Sequence, residues 1–106
     1  MMEFGIDLVK LSHIENADLL AKKILSIEEK NIFNKKLDKL AFLAGRFAAK
    51  EAFIKAYGSS IFKENLNEIE VLNYDSGKPY IKYKEKIYKV SISHEKEYAT
   101  AIVIIE

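Results

Sequence analysis

The 106-residue chain has no cysteine and no tryptophan, one proline (Pro79) and four glycines. Without thiols there is no disulfide framework, no thiolate metal site and no cysteine nucleophile, which fits a reducing interior. Charge of one sign is also lacking. Seventeen basic residues stand against 16 acidic ones, a formal net charge of +1, so attraction to a charged partner must be local, and nothing in bulk points to nucleic acid or membrane. The longest apolar run, Ala101-Ile102-Val103-Ile104-Ile105, has strand length and is too short to span a bilayer. Met1-Met2-Glu3-Phe4 has neither the basic nor the long apolar region of a secretion signal. The expectation is a cytoplasmic protein. There is no Walker-type glycine-rich loop, no Gly-x-Gly-x-x-Gly and no Gly-x-Ser-x-Gly elbow, so a nucleoside triphosphatase, a dinucleotide enzyme and a serine hydrolase are not indicated.

The patterns that are present describe one domain over residues 1–106. Phe4-Gly5-Ile6-Asp7-Leu8-Val9 alternates as a strand, with Phe4, Ile6 and Leu8 on one face and Gly5, Asp7 and Val9 on the other. Ser12 or Asn16 can cap a helix through Leu19, Leu20 and Ile24, and Ser26 with Glu29 three residues on is a capping-box pattern. Leu37 to Tyr57 is the longest helical segment, ended by Gly58-Ser59-Ser60. From Ile69 the pattern turns to strands: Ile69–Tyr74, a turn at Asp75-Ser76-Gly77-Lys78, Pro79–Tyr83, Ile87–Ser93, and Tyr98–Ile105 after a turn at His94-Glu95-Lys96-Glu97. A strand, then helices, then two hairpins is an α+β order, a small domain with a largely antiparallel sheet packed on the long central helix.

Two carboxylates stand out. On the long helix Leu40, Leu43, Phe47 and Ile54 form an apolar arc with Glu51 on its edge, and Asp7 has no polar company in its strand. Carboxylates so placed need a compensating cation. For Glu51 that is Lys55 four residues on, or a metal ion; for Asp7 it is some lysine, or the same metal. Two carboxylates brought together suit Mg²⁺, which keeps several waters and adds substrate phosphates to its shell. Arg46, Lys50 and Lys55, with the Gly-Ser-Ser loop after them, can present cations to phosphate oxygens, or be solvated helix charges. His94, after Ser91-Ile92-Ser93, ends a strand and reads by itself as a turn residue. Lys82-Tyr83-Lys84 and Tyr88-Lys89 interleave basic and aromatic residues, which suits single-stranded nucleic acid or simply a half-exposed strand.

Four separated stretches match one family in order: Gly5-Ile6-Asp7-Leu8-Val9; Arg46-Phe47-Ala48-Ala49-Lys50-Glu51-Ala52 with Lys55; Gly77-Lys78-Pro79; and Ser91-Ile92-Ser93-His94. Together they resemble holo-acyl-carrier-protein synthase, the short type of 4′-phosphopantetheinyl transferase, over essentially the whole chain. The resemblance implies a small α+β homotrimer with active sites at subunit interfaces. It implies transfer of phosphopantetheine from coenzyme A to a serine of apo acyl carrier protein, with release of adenosine 3′,5′-bisphosphate. It assigns Asp7 and Glu51 to Mg²⁺ and Lys55 and Arg46 to the phosphates. Gly77, Lys78, Pro79, Ser93 and His94 would line the nucleotide end. The missing nucleophile would then belong to the partner, its proton passing to a metal-bound water or to Glu51 directly. One position departs from the pattern: His13 stands where the family usually has an arginine facing the carrier protein, and Lys10, Lys22 and Lys23 are the local cations that could compensate. The alternatives are a non-catalytic binding module and an inactive relative that still binds coenzyme A.

Overall fold

A computed structural model describes residues 1–58, 61 and 63–106. Strand β1 (Glu3–Lys10) is followed by helices α1 (Ala17–Ile24), α2 (Ile27–Lys35) and α3 (Lys39–Tyr57), then strands β2 (Glu70–Asn73), β3 (Pro79–Tyr83), β4 (Lys86–His94) and β5 (Tyr98–Ile105). The strands form one sheet in the order β1-β5-β4-β3-β2, every neighbouring pair antiparallel. This is the expected α+β class. The order places β1, first in sequence, and β2 on the two opposite edges.

Each helix starts where a side chain satisfies its free amides. Asn16 Oδ1 accepts from the Leu19 amide at 3.0 Å and Asp38 Oδ1 from the Ala41 amide at 3.1 Å. Ser26 and Glu29 form the expected capping box, Ser26 Oγ accepting from the Glu29 amide and Glu29 Oε1 from the Ser26 amide. The long helix begins at Lys39, two residues later than its periodicity suggested, because Asp38 caps it. It ends at Gly58, whose φ of +120° is open to glycine and strained for other residues. The Ser59-Ser60 part of the expected loop lies outside the described residues.

The packing of α3 differs from the apolar arc read in the sequence. Leu43 is buried, but Leu40, Phe47 and Ile54 are only half-buried. The face laid on the sheet is made of small residues, with Ala41, Ala44, Ala48, Ala52 and Ala56 buried and Phe53 as its one large member. Small side chains let a helix approach closely, and Gly5 on β1 completes the approach. A Cβ at Gly5 would stand 1.9 Å from the Ala52 carbonyl oxygen and 2.9 Å from the Ala56 nitrogen. Gly5 and Val9 are buried under the helix, with Asp7 between them on the same face.

The other face of the sheet carries Phe4, Ile6 and Leu8, 58%, 63% and 64% exposed. Pairing of Phe4 with Ile104 and of Ile6 with Ile102 joins the two strands in one apolar patch. Among the described residues no helix is long and apolar enough to cross a membrane.

Candidate active site

Lys55, near the C-terminal end of α3, reaches β1: its Nζ donates to Asp7 Oδ1 at 3.1 Å and to the Ile6 carbonyl at 2.9 Å. The Asp7 side chain is 18% exposed and that of Lys55 56%, so the pair lies at a rim and not in the core. Glu51, half-buried, stands one helical turn before Lys55. Side chains four apart on a helix are neighbours at about 5–6 Å between Cβ atoms. Lys55 thus ties Asp7 to the stretch of α3 that carries Glu51, where Gly5 lets β1 lie on the helix. The strand position is fixed further by Thr100, whose hydroxyl donates to the Asp7 carbonyl at 2.8 Å.

Among the described residues no group of three or more His, Asp, Glu or Cys converges. A donor set of two carboxylates fits Mg²⁺, which completes its octahedron from water and phosphate oxygens and does not require an all-protein cage.

Arg46 lies elsewhere. Its Nη2 donates to Asn73 Oδ1 at 2.5 Å, its guanidinium stacks on Phe42 at 4.2 Å from the ring centre, and its buried Nε has no hydrogen-bond partner among the described residues. Burial pushes its pKa down to about 10, with the Glu29 carboxylate holding it up, so the group remains cationic at neutral pH. It lines a cleft of about 530 Å³ together with Lys35, Lys36, Phe42, Ile92 and His94. The cleft carries three basic side chains from α2, its C-terminus and α3, a histidine at the end of β4 and one carboxylate, Asp38, at the start of α3, a net basic lining that suits an anion.

Asp7 belongs to one edge strand, and Arg46 is bonded to the other. Residues 46 and 55 are also separated by about 13 Å along the helix axis at 1.5 Å per residue. One chain thus holds the carboxylate pair and the basic cleft apart. Ser93 and His94, adjacent in sequence, point to opposite faces of the sheet: Ser93 pairs with Thr100 in the outward row, and His94 turns toward Arg46. Lys78 and Pro79 line an outward, mostly apolar hollow of about 430 Å³ with Tyr80, Ile87 and Ile102. Gly77, at φ +94°, is tied to the Arg46 cleft instead, because Asn73 Nδ2 donates to its carbonyl at 2.8 Å.

Lys50 is not a surface cation. It is fully buried, donating to Glu29 Oε1 at 2.7 Å and to the carbonyls of Leu66 at 3.0 Å and Ile69 at 2.5 Å. Glu29, also fully buried, accepts from the Val71 amide at 3.0 Å with its second oxygen. Burial drives the Lys50 pKa below the usual lysine range and Glu29 pulls it back. All three ammonium donors are committed, which leaves none for a phosphate. Glu29 adds a third carboxylate in apolar surroundings to the two that stand out in the sequence. The sequence showed Glu29 as a cap, and nothing local to it signals the burial. Asn73 was missed too; its only signal is a polar side chain closing a strand just before a turn.

A family model of the 4′-phosphopantetheinyl transferase superfamily matches residues 3–103. The chain belongs to that superfamily. Among curated relatives of this transferase chain, a holo-[acyl-carrier-protein] synthase of Staphylococcus saprophyticus is 44% identical, the match covering 96% of this chain and 95% of that protein. One from Bacillus pumilus is 43% identical, covering 96% and 93%. Among solved structures, the holo-(acyl-carrier-protein) synthase of Bacillus anthracis in complex with CoA (3′,5′-ADP) superimposes with a TM-score of 0.85 at 43% identity, covering 98% of this chain and 96% of that one. The Neisseria meningitidis synthase superimposes with a TM-score of 0.87 at 30% identity, covering 98% and 97%. The transferase family and its fold are thus shared along the full described chain.

Proposed function

We propose that this 4′-phosphopantetheinyl transferase is a holo-acyl-carrier-protein synthase acting from residues 1–106 as a single domain. It moves the phosphopantetheine arm of coenzyme A onto a serine of apo acyl carrier protein. The observation that supports the reading is the Lys55–Asp7 ion pair where β1 lies on α3, one helical turn from Glu51, in a chain that is 44% identical to a synthase of that activity.

In this reading the carrier serine Oγ attacks the phosphorus nearest the pantetheine arm. A new O–P bond forms, the bridging P–O bond of the pyrophosphate breaks, and adenosine 3′,5′-bisphosphate leaves. Asp7 and Glu51 hold Mg²⁺, which when bound neutralises pyrophosphate charge. Lys55 keeps Asp7 in place and offers its ammonium to the phosphate oxygens as charge builds on the leaving group. The serine proton passes to the carboxylate pair, directly or through a water. The basic cleft of Arg46 and His94 receives the nucleotide end, beside the Gly77-Lys78-Pro79 turn, while Ser93, on the opposite face of the sheet, can reach the nucleotide only from a neighbouring chain's side.

In one chain Arg46 is bonded to β2 and lies about 13 Å along α3 from Lys55, so in this reading a complete site is built from two chains. The exposed Phe4, Ile6 and Leu8 face is the apolar surface available for such an assembly, taken here as a homotrimer in the cytoplasm. The carrier docks beside β1, where His13, Val9, Leu19, Leu20, Lys23 and Phe47 line a shallow cleft, and Lys10 and Lys22 supply charge near the family's absent arginine. The binding-module alternative loses its main support, since Tyr83 and Tyr88 turn inward to pack on Phe53 at 5.4 and 4.9 Å and are not a stacking platform.

The test is incubation with apo acyl carrier protein, coenzyme A and Mg²⁺, followed by intact mass. The carrier is expected to gain one phosphopantetheine per chain, and the gain is expected to disappear with chelator. A carrier left at its apo mass with every metal tried would overturn the reading.

A further inference from the structure

Arg46 is a cation with an unusual set of neighbours. It is 8% exposed, its Nε is unpartnered, and among the described residues no carboxylate stands within ion-pair distance of it. Among the described residues its one hydrogen-bonded partner is the Asn73 amide oxygen. A neutral acceptor orients a guanidinium and leaves its positive charge available, whereas a carboxylate in the same place would orient it and neutralise it. The other half of the Asn73 amide donates to the Gly77 carbonyl, so one side chain links Arg46 to the turn that closes the β2–β3 hairpin. β2 itself is an edge strand of four residues, anchored from behind by the buried Glu29 at Val71 and by Lys50 at Ile69.

We infer that Asn73 is a positioning residue for coenzyme A, an uncharged clamp that fixes the Arg46 guanidinium for a phosphate without quenching it and holds the Gly77 turn in register with it. The inference rests on the reading of Arg46 as a phosphate contact. Asn73 itself touches no phosphate. The amide is specified on both sides: its oxygen is needed by Arg46 and its nitrogen by Gly77.

The experiment is calorimetric titration of the full chain with coenzyme A, and steady-state kinetics, for Arg46→Met, Asn73→Ala, Asn73→Asp and the Arg46→Met combinations. Arg46→Met is expected to weaken coenzyme A by about 10- to 100-fold, the range for hydrogen bonds to a charged group. Asn73→Ala, which frees the guanidinium without neutralising it, should weaken binding by about threefold. Asn73→Asp should approach Arg46→Met, raising KM for coenzyme A more than it lowers kcat, while its melting temperature is no lower than that of Asn73→Ala. In the Arg46→Met background neither Asn73 change should cost further affinity.

A merely structural role predicts the opposite order, with affinity following melting temperature. Asn73→Asp binding as well as Asn73→Ala, while Arg46→Met binds poorly, would overturn the inference and leave the Arg46 reading standing. Unchanged binding in Arg46→Met would overturn that reading and the inference with it. If Asn73→Asp does not fold, the decision passes to Asn73→Ala: an equal loss with and without Arg46 refutes the clamp.

Discussion

Gly5→Ala tests how the carboxylate site is built. The added methyl group would stand 1.9 Å from the Ala52 carbonyl oxygen and 2.9 Å from the Ala56 nitrogen, where ordinary contact begins at 3.4 Å. Both colliding atoms are backbone atoms of α3, so no rotamer change relieves them. The strand must retreat from the helix by more than an ångström. β1 is hydrogen-bonded to β5 along its full length, so the retreat is resisted by the sheet as well. Overpacking of a tight interior costs about 1–3 kcal/mol and occasionally more, and a clash with helix backbone on one side and a sheet on the other belongs at about 3 kcal/mol. Asp7 lies two residues on, on the same face, and moves with the strand away from Lys55 and Glu51. A displacement of about 1 Å at a reacting centre costs roughly 100-fold in rate. Urea denaturation should therefore show the destabilisation, and the folded fraction, assayed well below the unfolding midpoint, should transfer phosphopantetheine at least about 100-fold more slowly. A Gly5→Ala protein within about 0.5 kcal/mol of wild type, the scatter of neutral surface changes, and with normal turnover would refute the close-approach argument.

Lys50→Met removes the ammonium from three acceptors and leaves Glu29 buried without its cation, so chemical denaturation should show a loss of about 3–5 kcal/mol. The double change Glu29→Leu with Lys50→Met should recover most of that loss, and a double variant as unstable as the single would show that charge pairing is not what the site requires. Ile6→Lys places a charge in the middle of the exposed apolar sheet face and is expected to convert the proposed trimer to monomers in sedimentation velocity while far-ultraviolet circular dichroism is retained; an unchanged sedimentation coefficient would remove that face as the interface. Lys55→Met, which frees Asp7 from its ion pair, should lower kcat by at least about tenfold, in line with the loss of a charge-assisted hydrogen bond, and an unchanged kcat would place Lys55 outside the chemistry.

The sequence shows the fold well because its signals are local. Asn16 and Ser26 cap helices with side chains three residues from the amides they bind, Asp38 does the same where the pattern suggested a start at Leu37, and Gly58 ends α3 and Gly77 turns the β2–β3 hairpin through positive φ. The alternation Gly5-Asp7-Val9 against Phe4-Ile6-Leu8 is also real, and it assigns Asp7 to the helix side. What the pattern could not say is which of the two faces is the core. The more apolar one, Phe4-Ile6-Leu8, is the exposed one, because a helix faced with alanine needs glycine opposite it and not bulk. The long-range polar contacts were illegible for a related reason. Lys50 and Glu29 are 21 residues apart, and Arg46 and Asn73 are 27 apart, and no periodicity records pairs that only the tertiary fold creates. Thus Lys50 read as a surface cation and Glu29 as a cap, while Asn73 did not stand out at all. Asp7 and Glu51 stand out in the sequence because each interrupts an apolar pattern, although the arc around Glu51 is only partly buried in the fold.

The account turns on those two carboxylates sharing one divalent ion. The direct measurement is Mn²⁺ binding followed by electron paramagnetic resonance, with and without adenosine 3′,5′-bisphosphate and coenzyme A, in wild type, Asp7→Asn and Glu51→Gln. Wild type is expected to bind one Mn²⁺ per site, more tightly when coenzyme A supplies its pyrophosphate. Each single variant should weaken that site by about tenfold or more, as loss of a charged ligand does, with the fold intact. Equal Mn²⁺ affinity in all three proteins would contradict the account.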